Sequence, residues 1–117
     1  MAQGAGLVLT IAGTRRFLPA FLVERVVPMP RLSSVPGSSV KLALVRGRVL
    51  SVLELGAPSS HLVVCMLNGE PVGLSGLDVE RSGFFESHAD GVEVDGEVVI
   101  AFDPSKEIAN RVTVVAS

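Results

Sequence analysis

The sequence contains no Trp and no Tyr, and five Phe supply its entire aromatic content. A platform for stacking nucleic-acid bases would have little to draw on. Net charge is −2, so the broad basic footprint of a nucleic-acid-binding protein is missing as well. Cys65 is the single cysteine, which excludes an internal disulfide and any Cys-rich metal spacing. Long hydrophobic runs are absent. The longest uncharged stretches, Met1 to Thr14 and Leu55 to Gly69, fall short of the roughly 18 residues of a membrane span, and both contain Gly or Pro. No basic segment precedes the first apolar run, as a secretory signal would require. Arg15-Arg16-Phe17-Leu18 echoes a twin-arginine signal, but Pro19 and Glu24 interrupt the apolar stretch after the arginines, and the segment reads as a charged turn before a strand. The expected location is cytoplasmic.

What the chain does have is Val and Leu. Of its 117 residues 48% are hydrophobic and 19% charged, which excludes a disordered tail and fits one domain. β-branched residues suit pleated, half-buried surfaces, so the expectation is mainly β. Leu7 to Ala12 reads as a strand, Gly13-Thr14 as a turn, and Arg16 to Leu18 as a partner strand. Pro19 to Arg25 reads as a helical turn opened by proline. A Pro/Ser loop runs from Pro28 to Ser39. Val40 to Val45 and Val49 to Leu55 flank a tight polar turn at Arg46-Gly47-Arg48. Gly56 to Ser60 is the best boundary between two lobes. Leu62 to Leu67 and Val72 to Leu77 flank Asn68-Gly69, the clearest hairpin signal, because both turn residues tolerate positive φ. Asp78 to Phe85 looks irregular. Asp95-Gly96 marks a second hairpin. Asp103, as an N-cap before Pro104, predicts a short helix to Arg111, with Val112 to Val115 a last strand or tail.

Chemistry is sparse. Ser60, His61 and Asp78 could be assembled into a hydrolase triad, but no nucleophile elbow surrounds them. A loop histidine explains His61 better. Glu86-Ser87-His88-Ala89-Asp90 could graze a metal, yet no second ligand cluster completes a site. Gly73-Leu74-Ser75-Gly76 lacks the Lys and Ser/Thr of a phosphate loop. Glu80, Glu86, Asp90, Glu93, Asp95 and Glu97 read as a solvated face. Cys65, inside an apolar run, reads as a buried structural thiol. Residues 1–60 carry seven Lys/Arg against two Asp/Glu, so a mildly basic lobe faces an acidic one. That asymmetry suits a protein partner. No catalytic residue, cofactor or metal is expected.

The order of these features resembles the CheW-like domain, the coupling module of bacterial chemosensory arrays. Phe21-Leu22-Val23-Glu24-Arg25-Val26-Val27 is similar to the family's Val-x-Glu-Val segment. Leu32 to Gly37 resembles its loop ending in Pro-Gly. Val45 to Leu55 resembles its hallmark, a strand, Arg-Gly, then a strand ending in an acidic residue and Leu. Val72-Gly73-Leu74, Gly91-Val92 and Val99 to Asp103 match the later segments. The departures are specific. Lys41, Leu44 and Val45 stand where the family has Gly, Asn and Leu, and Ser51 replaces a Pro. Only Asp78 to Asp90 fills a stretch that is much longer in other members.

The resemblance implies a fold and a role. The fold is a pair of small SH3-like β-barrel lobes with one or two short helices, the second lobe truncated. The whole chain, 1–117, is then one domain: lobe one over about 7–55, a reduced lobe two over about 61–103, and a helix and tail over 104–117. The role is that of a non-enzymatic adaptor binding methyl-accepting receptors, similar to the short FrzB of a gliding-motility system. Binding to a CheA-type histidine kinase would be weakened or lost. Other CheW-like proteins are further candidate partners, and strand edges left open could drive homo-oligomerisation. Carried over from the family, receptor contacts fall on Val23, Val26, Val35, Pro36, Arg46 and Gly47. The competing expectations are a β-barrel interaction module outside chemosensing and a small hydrolase.

Overall fold

A computed structural model describes residues 2–37 and 40–107. Eleven strands are found among them: β1 Gln3–Ile11, β2 Thr14–Pro19, β3 Val23–Pro28, β4 Leu32–Ser34, β5 Lys41–Val45, β6 Arg48–Glu54, β7 His61–Leu67, β8 Glu70–Ser75, β9 Leu77–His88, β10 Gly91–Val94 and β11 Glu97–Ile100. One turn of 3-10 helix, Ala20–Leu22, separates β2 from β3, where a helical turn was expected. Residues 104–107 begin the helix that Pro104 announces. The remainder of that helix, to Arg111, and the tail Val112 to Val115 lie outside the described residues.

Four hairpins share one device. Ala12-Gly13, Arg46-Gly47, Asn68-Gly69 and Asp95-Gly96 all place two consecutive residues at positive φ, near 50° and then near 80°. This is the two-residue turn whose twist matches that of the paired strands. The first turn sits at Ala12-Gly13, so Thr14 already pairs with Ile11.

The strands form two sheets, ordered β11-β10-β9-β1-β2 (sheet A) and β3-β7-β8-β6-β5-β4 (sheet B). The sheets do not follow the expected division near Gly56 to Ser60. The N-terminal hairpin β1–β2 pairs with β9 and belongs with the C-terminal strands, while residues 23–75 make up sheet B. The C-terminal segment contributes three strands, β9 to β11, and the N-terminal hairpin brings sheet A to five. Asp78 to Phe85, expected to be irregular, lies wholly within β9, which at 12 residues is the longest strand. Its polar sequence hides it, because most of its side chains face solvent, while its backbone pairs with β1 along most of its length.

Three apolar clusters explain how the sheets curl and stack. Val8, Phe17, Val92, Val94 and Val99 fill the concave side of sheet A. Ala43, Val45, Leu50, Val52, Leu62 and Val64 fill that of sheet B. Leu9, Leu18, Val63, Cys65, Leu67, Leu74 and Leu77 lie between the two sheets. The period-two alternation of a strand assigns each residue to its cluster. On β7, Leu62 and Val64 point into the barrel while Val63, Cys65 and Leu67 point to sheet A. Being buried on both faces is why β7 reads as an unbroken apolar run rather than an alternating one.

The chain crosses from sheet B to sheet A at Gly76. Its φ is +77°, and a Cβ there would lie 2.3 Å from the Gly56 nitrogen. Only glycine meets both demands.

Candidate functional site

The residues expected to contact a receptor lie on sheet B. Val23 and Val26 are on the edge strand β3, opposite Cys65 and Val63 of β7. A bulge at Glu24 separates them. It puts both valines on the face that sheet A partly covers, and turns the Glu24 carboxylate towards the β5–β6 hairpin, where it pairs with Arg48 and lies 3.5 Å from Arg25 Nε. This ion pair ties together the two segments singled out by resemblance, Val-x-Glu-Val and Arg-Gly. Val23 packs against the inter-sheet cluster, whereas Val26 keeps 39% of its surface exposed. Arg46 and Gly47 are the exposed turn residues of the hairpin, at φ 50° and 78°. Val35 is half-buried and Pro36 exposed, in the loop after β4. The structure thus joins the β3 and Arg-Gly segments directly, while Val35 and Pro36 follow β4 on the far edge of the sheet.

Two neighbours of the Arg-Gly turn are the more conspicuous surface feature. Leu44 and Val49 pair directly across β5 and β6, and keep 64% and 67% of their surface exposed. Sequence reasoning placed both in strands and assigned them no role. The available signal was the departure at Leu44, an apolar residue where the family carries Asn.

A second cluster is ionic and lies at one end of sheet A. Arg15 on β2 donates through Nε to Glu80 Oε2 at 3.0 Å and through Nη1 to Glu97 Oε1 at 2.8 Å, and its Nη2 contacts Glu80 as well. Arg81 on β9 donates to Asp95 at 2.7 Å. The side chains come from β2, β9, β11 and the β10–β11 turn. The β1–β9 register slips between Val8 and Leu9, which leaves Glu80 as the extra residue, bulged towards Arg15. Hydrogen bonding from Arg15 lowers the Glu80 pKa, and Arg81 followed by Arg15 lowers that of Asp95. The same carboxylates raise the Arg15 pKa. Three of the acidic residues expected to form a solvated face therefore converge on two arginines. The arrangement fastens β2, β9, β11 and the β10–β11 turn together.

The other candidate chemistry does not converge. Ser60 Oγ lies 3.0 Å from His61 Nδ1, but both are chain neighbours at the start of β7 in sheet B, while Asp78 pairs with Thr10 in sheet A. His88 Nε2 sits 3.9 Å from Glu93 Oε1. Among the described residues no group of three His, Cys, Asp or Glu side chains could hold a metal ion. Gly73-Leu74-Ser75-Gly76 is strand β8 and its exit, not a loop. Cys65 is fully buried, and loss of solvation pushes its thiol up to about 12. Among the described residues no helix is long and apolar enough to cross a membrane.

The fold these sheets define, two curled β-sheets sharing an apolar seam, is that of the CheW-like proteins. The chain is similar to a crystal structure of the scaffolding protein TtCheW from Thermoanaerobacter tengcongensis, with TM-score 0.67 and 15% identity over 87% of this chain and 90% of that one. No protein-family model and no curated protein matches the sequence.

Proposed function

We propose that this chain is a non-enzymatic coupling protein of a bacterial chemosensory system, cytoplasmic, binding the helical signalling tips of methyl-accepting receptors. The observation that carries the proposal is the likeness of fold to a scaffolding protein over nearly all of both chains. The ordered motifs of the sequence support it, since Val-x-Glu-Val and Arg-Gly meet through the Glu24–Arg48 pair. Val23, Val26, Arg46 and Gly47 form the receptor-facing surface, with Val35 and Pro36 at its margin. Arg46 gives register to the docked helix and the valines give burial. Arg46→Glu should abolish co-sedimentation with receptor signalling tips; unchanged binding would remove Arg46 from the surface.

Weakened coupling to a CheA-type kinase belongs to the same proposal. Its support is the short stretch from Asp78 to Asp90. The five-stranded sheet A and the 90% coverage of the scaffolding protein pull the other way. A pull-down with the kinase regulatory domain decides this point, and tight binding would overturn it. A β-barrel module outside chemosensing is the second reading. The lack of any family-model match favours it, and binding to neither receptor nor kinase would establish it.

A further inference from the structure

We infer that this chain self-associates head to tail, the β5–β6 hairpin tip of one copy docking on the outer face of sheet A of the next. Two surfaces carry the inference, and each lacks on its own molecule what the other supplies.

The first surface is a finger. The β4–β5 ladder ends at Ala43 and the β6–β8 ladder begins at Ser51, so the hairpin tip stands clear on both edges. Leu44 and Val49, directly opposed on it, are the most exposed aliphatic side chains among the described residues. Arg48 of the tip is paired with Glu24, whereas no carboxylate among the described residues pairs with Arg46.

The second surface lies on sheet A. Val92 and Val99 point into that sheet's own core, so the residues alternating with them point outwards. These are Glu93 on β10 and Val98 and Ile100 on β11, and Phe84 and Glu86 continue the same face on β9. Phe84, Val98 and Ile100 keep 73%, 48% and 44% of their surface exposed. Glu86 and Glu93 are directly opposed, a position in which like charges repel. No lysine or arginine among the described residues pairs with either, and His88 Nε2 lies 3.9 Å from Glu93 Oε1. Glu80, Asp95 and Glu97, by contrast, all have arginine partners. The opposed glutamates therefore call for a cation from outside the molecule.

The two surfaces match in chemistry and in spacing. Val98, Glu93 and Glu86 lie in one row across adjacent strands, at steps of about 5 Å. On the finger, Arg46 lies two residues beyond Leu44, about 7 Å of extended chain. With Leu44 and Val49 seated on Val98 and Ile100, Arg46 reaches the glutamate pair. Charge also decides the symmetry. A two-fold contact between fingers sets Arg46 against Arg46, and one between faces gathers four glutamates. The unlike pairing relieves both repulsions, so the contact is heterologous and can add further copies. A docked finger takes up Arg46, so this contact and the receptor contact proposed above exclude each other; only that last point rests on the coupling reading.

Sedimentation velocity on the full chain tests the contact. Wild-type mass should grow with concentration and fall as salt is raised. Leu44→Asn with Val49→Thr, or Val98→Thr with Ile100→Thr, should each weaken association at least tenfold with an unchanged melting temperature. An equimolar mixture of the two variants should form a dimer and stop there, because each retains one intact surface. Glu86→Gln with Glu93→Gln should raise the melting temperature yet weaken association, a combination that a purely structural role would not produce. Wild-type protein that stays monomeric up to about 1 mM overturns the inference. So does either apolar variant that associates as the wild type does, or a mixture that stays monomeric. A soluble receptor signalling tip in excess should break the wild-type oligomers. A tip that fails to bind overturns the coupling reading alone, and oligomers that persist with the tip bound overturn the shared use of Arg46.

Discussion

The two sheets solve the same problem, closing a small curled sheet, with different chemistry. Sheet B closes on aliphatic side chains: six buried residues from β5, β6 and β7 fill it, and Val27, Met29 and Leu32 pack over them. Sheet A has a smaller apolar filling. Its outer strands β2 and β11 meet at the Phe17–Ala101 bridge, where Phe102 N donates to Phe17 O at 2.7 Å. Towards the β10–β11 turn the β9–β10 ladder stops at Glu93↔Glu86. From there Arg81 ties the turn to β9, and Arg15 ties β11 to β2. The lesson is that where a backbone ladder runs out at a barrel rim, opposed charges can hold the strands, at the cost of sensitivity to salt and acid.

The largest expected effect breaks both sheets at once. Leu74 is fully buried between them, so Leu74→Ala should cost about 2–5 kcal/mol and lower stability in one cooperative transition in denaturant. Two separate transitions would show that the sheets fold independently. The Cys65 thiol sits in the same seam. With its thiol pushed up to about 12, the native protein at pH 8 should resist a thiol reagent that labels the denatured chain readily. Labelling on mixing would mean that the seam opens easily.

The next effect separates the sheets. Arg15→Met removes the ion pairs to Glu80 and Glu97, so amide exchange should speed up in β11 while β7 stays protected. Exchange rising equally in both would make the cluster a global strut. The acid dependence has a definite sign. Glu80 and Asp95 have lowered pKa values, so their contribution is fully present above the ordinary carboxylate range and is lost as pH falls through the lowered values. Wild-type sheet A should therefore lose exchange protection before sheet B as pH drops from about 5 towards 2, and Arg15→Met should shrink that difference. Smallest is the Glu24–Arg48 pair on sheet B. A double-mutant cycle in denaturant should give about 0.2–1 kcal/mol, and a value near zero would leave the pair a purely positional role.

Much of the fold was legible because its signals are local. Asn68-Gly69 and Asp95-Gly96 announce hairpins through residues that tolerate positive φ, and the unbroken Leu62 to Leu67 run announces a strand buried on both faces. Pro19 before the 3-10 turn and Asp103-Pro104 before the helix are likewise local. The long strand β9 was not legible, because Asp78, Glu80, Arg81 and Glu86 carry no apolar alternation and the strand owes its existence to β1, some seventy residues away in the chain. The candidate site was half legible. Resemblance pointed to Arg46, Val23 and Val26, but the exposure of Leu44 and Val49 depends on where sheet A stops covering sheet B.

By itself the sequence determined the hairpin turns, the strand-rich class and the burial of its lone thiol, since each follows from the preferences of a few adjacent residues. Three things were decided only by tertiary structure: that the N-terminal hairpin completes the C-terminal sheet, that Glu80, Asp95 and Glu97 surround Arg15 and Arg81, and that one apolar pair stays uncovered. All three depend on pairing between distant strands. Alternation specifies that a strand has an apolar face, but what covers that face is chosen only when the sheets pack.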